Sequence, residues 1–206
     1  MARKINPFIF RAILNRNWNC IWYIKKNFYS NYLIEDLNIR NYLEKIFKKK
    51  PIGKIIIIKN SNFIYFLIYL KKGSLVNKNM ILSLKKNIFF FTDKNVYFKF
   101  KSISNHNIDV KIILFYIKRG IEFNKSYKGI IKNIISNAFK SRCLGLKIAI
   151  QGRINGNIMT RKQIFFHGKL PLQKFCANIK YSSGTAQTVH GCIGIKVWLY
   201  LGDFIY

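Results

Sequence analysis

LGLKIAIQGRINGNIMTRKQIFFHGKLPLQKFCANIKYSSGTAQTVHGCIGIKVWLYLGD, residues 144–203, decides the fold of the second half of the chain. Its β-branched and aromatic residues come in short runs separated by Gly, Asn and Pro, the pattern of strands and turns. The spacing predicts strands at 146–153 (LKIAIQGR), 158–166, 174–181 and 193–200 (IGIKVWLY). Residues 185–190 are read as a helical turn. Upstream, Ile130, Ile131, Ile134, Ile135, Ala138 and Phe139 form an apolar stripe at helical spacing, so 125–142 is a helix. Lys125, Lys132 and Lys140 lie off that stripe, Lys128 lies at its edge, and Gly145 is expected to stop the helix. Residues 108–117 (IDVKIILFYI) fit a strand by composition and a helix by position.

The first half is sparser in signals. Ile39, Tyr42, Leu43 and Ile46 fall on one helical stripe, which predicts a helix over 31–47 ended by Lys48-Lys49-Lys50-Pro51. Leu33, Ile34 and Leu37 lie off it. Two apolar runs, 54–59 and 63–70, flank Asn60-Ser61-Asn62 and read as a hairpin. Residues 75–91 read as a helix with a break and 95–100 (NVYFKF) as a strand. Pro7 argues against a helix at the start, so residues 1–30 are read as an extended basic and aromatic arm. The element order is α-β-β-α-α-β, then α-β-β-β-(α)-β: an α+β chain with a mostly antiparallel second sheet.

Charge sets the partner. The chain has 206 residues, with 37 Lys and Arg against 7 Asp and Glu, for a net charge of +30. The excess is spread evenly, at +8, +8, +8 and +6 over residues 1–50, 51–100, 101–150 and 151–206. A free compact chain so charged repels itself, so a permanent polyanion is expected. Half the residues are hydrophobic, which excludes disorder by composition. Enzyme chemistry is not expected. The acidic residues are scattered, and only Glu35 and Asp36 are neighbours, on adjacent positions that do not face each other on a helix. Cys20, Cys143, Cys176 and Cys192 form no Cys-x-x-Cys pair, and His190 near Cys192 is at most half a metal site. No metal, cofactor, membrane span or secretory signal is expected.

Particular residues carry a resemblance. Gly152-Arg153, Asn155-Gly156, Arg161, Gly168, Pro171-Leu172, 177–181, Thr185-Ala186 and 191–198 match the C-terminal domain of the bacterial-type small-subunit ribosomal protein S-three family. Lys4, Asn6-Pro7, Phe10-Arg11, Trp18, Trp22-Tyr23, Leu33, Glu35-Asp36, Ile39-Arg40 and Tyr42-Leu43 agree independently. The resemblance covers essentially the whole chain and is weakest over 72–125. It implies a type II KH-like domain at 31–105 and an S-three C-terminal domain at 106–206. It further implies a structural place in the small-subunit head, binding small-subunit rRNA and lining the mRNA entry channel. The neighbours it implies are ribosomal proteins S-ten and S-fourteen, with no homo-oligomer.

Departures from the family carry information. A KH clamp uses Gly-x-x-Gly so that backbone approaches phosphate closely. The matching place here is Asn77-Lys78-Asn79-Met80, which leaves Lys71, Lys72 and Lys78 for plain phosphate attraction. Where the family tends to carry an Arg pair, this chain has Asn124-Lys125, followed by Lys128 and Lys132, the expected mRNA-side residues. The expected rRNA contacts are Lys4, Arg11, Trp18 and Trp22 in the arm and Arg153, Arg161, Lys169 and Lys196 in the C-terminal domain. Trp18 and Trp22 read equally well as anchors of the arm. Residues with A/T-rich codons dominate, which points to an A/T-rich genome, an organelle or a reduced endosymbiont. Residues 18–40 resemble bacterial and mitochondrial members of the family more than plastid ones, so an organelle-encoded chain of a mitochondrial ribosome is expected, with a plastid or an A/T-rich endosymbiotic bacterium as alternatives. The alternative function is a free-standing RNA-binding protein or RNA chaperone.

Overall fold

The computed structural model describes residues 5–14, 18–60, 62–74, 76–92 and 94–204. Contacts divide the chain into two compact units: Asn17–Ser104, and Met1–Arg16 together with Asn105–Tyr206. The division falls within residues 1–30.

A short helix, α1 (Pro7–Phe10), opens the C-terminal unit. Pro7 stands at its first position, where the missing N–H has no intrahelical partner to lose. The Asn6 side chain caps it, accepting from the Phe8 N–H at 2.9 Å. The expectation that Pro7 forbids a helix here is corrected on that ground. Arg11 follows and is only 2% exposed. Its guanidinium donates to the carbonyls of Pro7 (3.1 Å), Leu172 (2.9 Å) and Lys174 (2.7 Å). Phe10 packs edge-on against Phe175, with ring centres 4.9 Å apart. Arg11 thus clamps α1 to the segment around Pro171-Leu172 and is not an exposed RNA contact.

In the Asn17–Ser104 unit, a sheet of order β1-β2-β3-β4 comprises β1 (Cys20–Ile21), β2 (Ile52–Lys59), β3 (Phe63–Lys71) and β4 (Asn95–Ile103). β2 and β3 form the expected antiparallel hairpin, while β1–β2 and β3–β4 are parallel. Helix α2 (Tyr29–Ile46) and helix α3 (Lys78–Phe89) supply the other half of the core. Ile39, Leu43, Leu84 and Ile88 pack on Ile57, Ile64, Phe66 and Ile68, all buried. Leu33, Ile34 and Leu37 stay exposed on α2. Between β3 and β4 the described residues hold one helix, not the expected two.

In the C-terminal unit, helices α4 (Val110–Glu122) and α5 (Tyr127–Lys140) serve an antiparallel sheet of order β6-β5-β8-β7. Its strands are β5 (Gly145–Gly152), β6 (Arg161–Gly168), β7 (Ala177–Thr188) and β8 (Gly191–Asp203). The segment open to two readings is helical: Asp109 caps α4, and Val110, Ile113, Ile117 and Ile121 are buried together on one side. The helices meet closely at Gly120, where an added Cβ would fall 2.2 Å from Ile130 Cδ1. Gly145 does not stop α5. Arg142, at φ 65°, turns the chain, and Gly145 starts β5, where an added Cβ would lie 1.7 Å from the Lys169 carbonyl. The expected turn at 185–190 is also corrected: β7 runs on to Thr188, paired with Gly191 across a tight hairpin.

Replacing Arg11 with Met leaves three buried or half-buried carbonyls without a donor. A loss of about 3 kcal/mol is expected, because a charged hydrogen-bonding network is broken. Thermal unfolding of the full chain checks this. An unchanged midpoint combined with weaker RNA binding would return Arg11 to the RNA contacts.

Candidate nucleic-acid interface

The acidic side chains are mostly consumed within the fold. Asp36 is 2% exposed and accepts from Arg40 Nε at 2.8 Å, while Arg40 also donates to the carbonyls of Ile55 and Asn19. That arrangement ties β1 and β2 to α2. Glu35 pairs with Lys59 at 3.3 Å, Glu122 with Lys118 and Asp203 with Lys174. Asp109 is occupied as a cap. Few carboxylates remain to neutralise the exposed cations, so the surface field is positive on both units.

Lys59 is 4% exposed and donates to the Tyr32 carbonyl at 3.3 Å. Its ammonium also lies over the rings of Trp22 (6.0 Å) and Tyr32 (5.5 Å). Burial pulls its pKa down, opposed by Glu35 and Asp36. Trp22 is half-buried against Tyr29 and Tyr32, with ring centres 5.6 and 6.1 Å away. It is an anchor of this cluster, whereas Trp18 is 61% exposed. Lys4 lies outside the described residues.

Lys125, Lys128 and Lys132 are all exposed. Lys125 sits in the turn before α5, after Asn124 at φ 52°, and Lys128 and Lys132 lie one turn apart on the helix. Lysines at the start of a helix oppose its positive dipole end, and like charges one turn apart repel, so the row is unfavourable without an anion. Lys125 also lines a cavity of about 290 Å³ with Arg153, Asn155 and His190. Arg153 there donates to the carbonyls of Asn157 (2.9 Å) and His190 (3.3 Å). Gly152 pairs with Arg161, which places exposed Arg161 beside Arg153. Lys169 is exposed at the other end of the same hairpin, and Lys196 is exposed on the outer side of β8. The expected rRNA residues thus do not form one cluster.

The degenerate loop is relocated. Asn77 precedes α3, and Lys78 to Met80 form its first turn, so this stretch is not a loop clamp. The turn itself is Lys71-Lys72-Gly73, with Gly73 at φ 90° and open space around it. Lys50 donates to Met80 Sδ at 3.7 Å, which brings Lys48-Lys49-Lys50 to the same edge as Lys71, Lys72 and Lys78. The sequence reading did not connect Lys50 with this edge, which only the hairpin brings together.

Among the described residues no reacting group stands out. Burial pushes the thiols of Cys20 and Cys143 up, keeping them protonated and poor nucleophiles. Among the described residues no cluster of His, Cys, Asp or Glu is placed to hold a metal ion. Among them, too, no helix is long and apolar enough to cross a membrane.

Comparison with known proteins bears on the same residues. The family model "Ribosomal protein S3, C-terminal domain" matches residues 117–199, the sheet and helices that carry Arg153 and the lysine row. The chain is 32% identical to the small ribosomal subunit protein uS3 of Pelagibacter ubique, over 98% of this chain and 91% of that one. The chain belongs to the uS3 family. It is 33% identical to the uS3 of Dictyoglomus turgidum over 98% of this chain and 84% of that one. For the uS3 of Staphylococcus haemolyticus the figures are 32%, 100% and 95%. The family is structural and non-enzymatic.

Lys59→Ala should destabilise the chain by about 3 kcal/mol, because it strands Glu35 beside Asp36 in a largely dry site. Denaturant unfolding reads this. A shift indistinguishable from zero would mean that the Lys59 pair is solvated and that Trp22 is free for other contacts.

Proposed function

We propose that this uS3-family chain is built into the head of the small ribosomal subunit, binds its rRNA and lines the mRNA entry channel. The observation that carries the reading is the exposed row Lys125, Lys128 and Lys132 beside Arg153, on a chain whose acidic residues are mostly consumed internally. Lys128 and Lys132 lie about 6 Å apart along the helix and Lys125 extends the row from the turn before it, enough to meet two or three successive phosphates. Lysines there neutralise phosphates without reading bases, so they hold any message equally. A strand held along such a row is slower to re-pair, which would let the ribosome open a hairpin without a chemical step.

Arg153, Arg161, Lys169 and Lys196 are proposed to meet rRNA from the second unit, with Trp18 stacking from the first. Lys71, Lys72 and Lys78 are proposed to attract phosphate at the turn where a KH domain carries its clamp. Arg11 leaves this set because it is buried. Ribosomal proteins S-ten and S-fourteen are the proposed neighbours for exposed apolar residues such as Phe89, Phe90 and Phe91. The wealth of residues with A/T-rich codons fits an organelle or a reduced endosymbiont, and the likeness of residues 18–40 to bacterial and mitochondrial members of the family supports assembly in a mitochondrial ribosome. Charge spread along the whole length favours embedding in rRNA over a free-standing RNA chaperone.

Sedimentation of native extract through sucrose at moderate salt should place the chain with the small subunit. Intact small subunits lacking it, with the chain near the top of the gradient, would reject the reading. Subunits carrying K125A, K128A and K132A together should assemble yet translate through a message hairpin several-fold more slowly than wild type. Equal rates on structured messages would remove the entry-channel role while leaving the rRNA role standing.

A further inference from the structure

The Asn17–Ser104 unit covers only one face of its sheet. Ile64, Phe66, Ile68 and Leu70 point into the core with α2 and α3, so their neighbours on β3 point the other way. On that outer face Tyr65 and Tyr97 sit opposite each other on adjacent strands, 40% and 45% exposed. Their rings stack, with centres 5.0 Å apart and planes 22° from parallel. The next cross-strand pairs are Leu67 with Lys99 and Tyr69 with Lys101, and both lysines are exposed. Two residues along a strand advance about 6.8 Å, so the tyrosine pair and the two lysine-bearing pairs follow one another at roughly that interval. β2, β3 and β4 contain no acidic residue, so no carboxylate on these strands competes for the lysines.

We propose that this open sheet face is a second RNA surface, on which an unpaired strand stacks bases on Tyr65 and Tyr97 and sets phosphates on Lys99 and Lys101. The inference rests on the RNA-binding reading above but uses none of its residues. Aromatic rings flanked by lysines suit a single strand, because every base offers a π-face and every linkage a negative charge. A paired helix hides its bases and gains only from the lysines. Cross-strand Tyr pairing also stabilises a sheet, so the test must keep β propensity while removing the rings.

The full-length chain is titrated with an unstructured oligouridine and with a duplex RNA, across a range of KCl concentrations. Y65I together with Y97I should weaken oligouridine binding about tenfold or more, with the salt slope unchanged and duplex binding unaffected. Y65F with Y97F should restore wild-type affinity. K99Q with K101Q should instead flatten the oligouridine salt slope, by about 0.7 per lost contact. Equal affinity of the wild-type and Ile variants for oligouridine would overturn the proposal. In native small subunits, ultraviolet cross-linking should join the Tyr65 or Tyr97 peptide to a nucleotide; a cross-link to a neighbouring protein instead would assign the face to that protein and overturn it. Ring-dependent binding by a chain that sediments away from small subunits would sink the ribosomal setting and leave this surface standing. Cosedimentation without ring-dependent binding would do the reverse.

Discussion

The shortage of carboxylates governs this molecule. With 7 acidic residues against 37 Lys and Arg, an ordinary surface of balanced pairs is out of reach. The few acids are placed where the fold needs them. Asp36 fixes Arg40 and so the start of the first sheet, Glu35 neutralises the buried ammonium of Lys59, and Asp109 starts α4. What remains outside is a net positive field over both units, tolerable at low salt only against a polyanion. The use of the acids inside the fold and the positive field outside it therefore have one origin.

The two units handle their polar interiors differently. The first keeps a charged cluster under its aromatic edge, where Lys59, Trp22 and Tyr32 converge. The second uses backbone geometry. Its glycines permit close passage, as at Gly168, at φ 75°, where an added Cβ would lie 2.2 Å from the Leu144 carbonyl. Arg11 joins the start of the chain to that unit through carbonyl groups alone. A basic residue in such a chain is thus not automatically a ligand contact.

The second half was well legible because its strands alternate against a single covered face. Residues 193, 195, 197 and 199 are buried in turn on β8, as the IGIKVWLY pattern implies. The edges were less legible. The 185–190 segment reads as a helical turn, yet cross-strand pairing to β8 extends β7 to Thr188. On α2, Leu33, Ile34 and Leu37 lie off the apolar stripe and are exposed, as their spacing implies. Helix α4 was open from sequence alone, since β-branched Ile suits both states and only its packing on the sheet selects the helix. The exposure of Lys125, Lys128 and Lys132 was legible from their places off or at the edge of the apolar stripe, while their proposed role came from the family resemblance. The burial of Arg11 was not legible, because its partners lie far along the chain, whereas the anchoring of Trp22 was one of the two readings its sequence allowed.

The most direct test of the central claim is thermal unfolding of the purified full chain as KCl is raised. If uncompensated repulsion dominates the free protein, the midpoint should climb steadily with salt as the charges are screened, and added RNA at low salt should raise it further. A midpoint that stays flat or falls with salt, and that RNA does not move, would contradict the account.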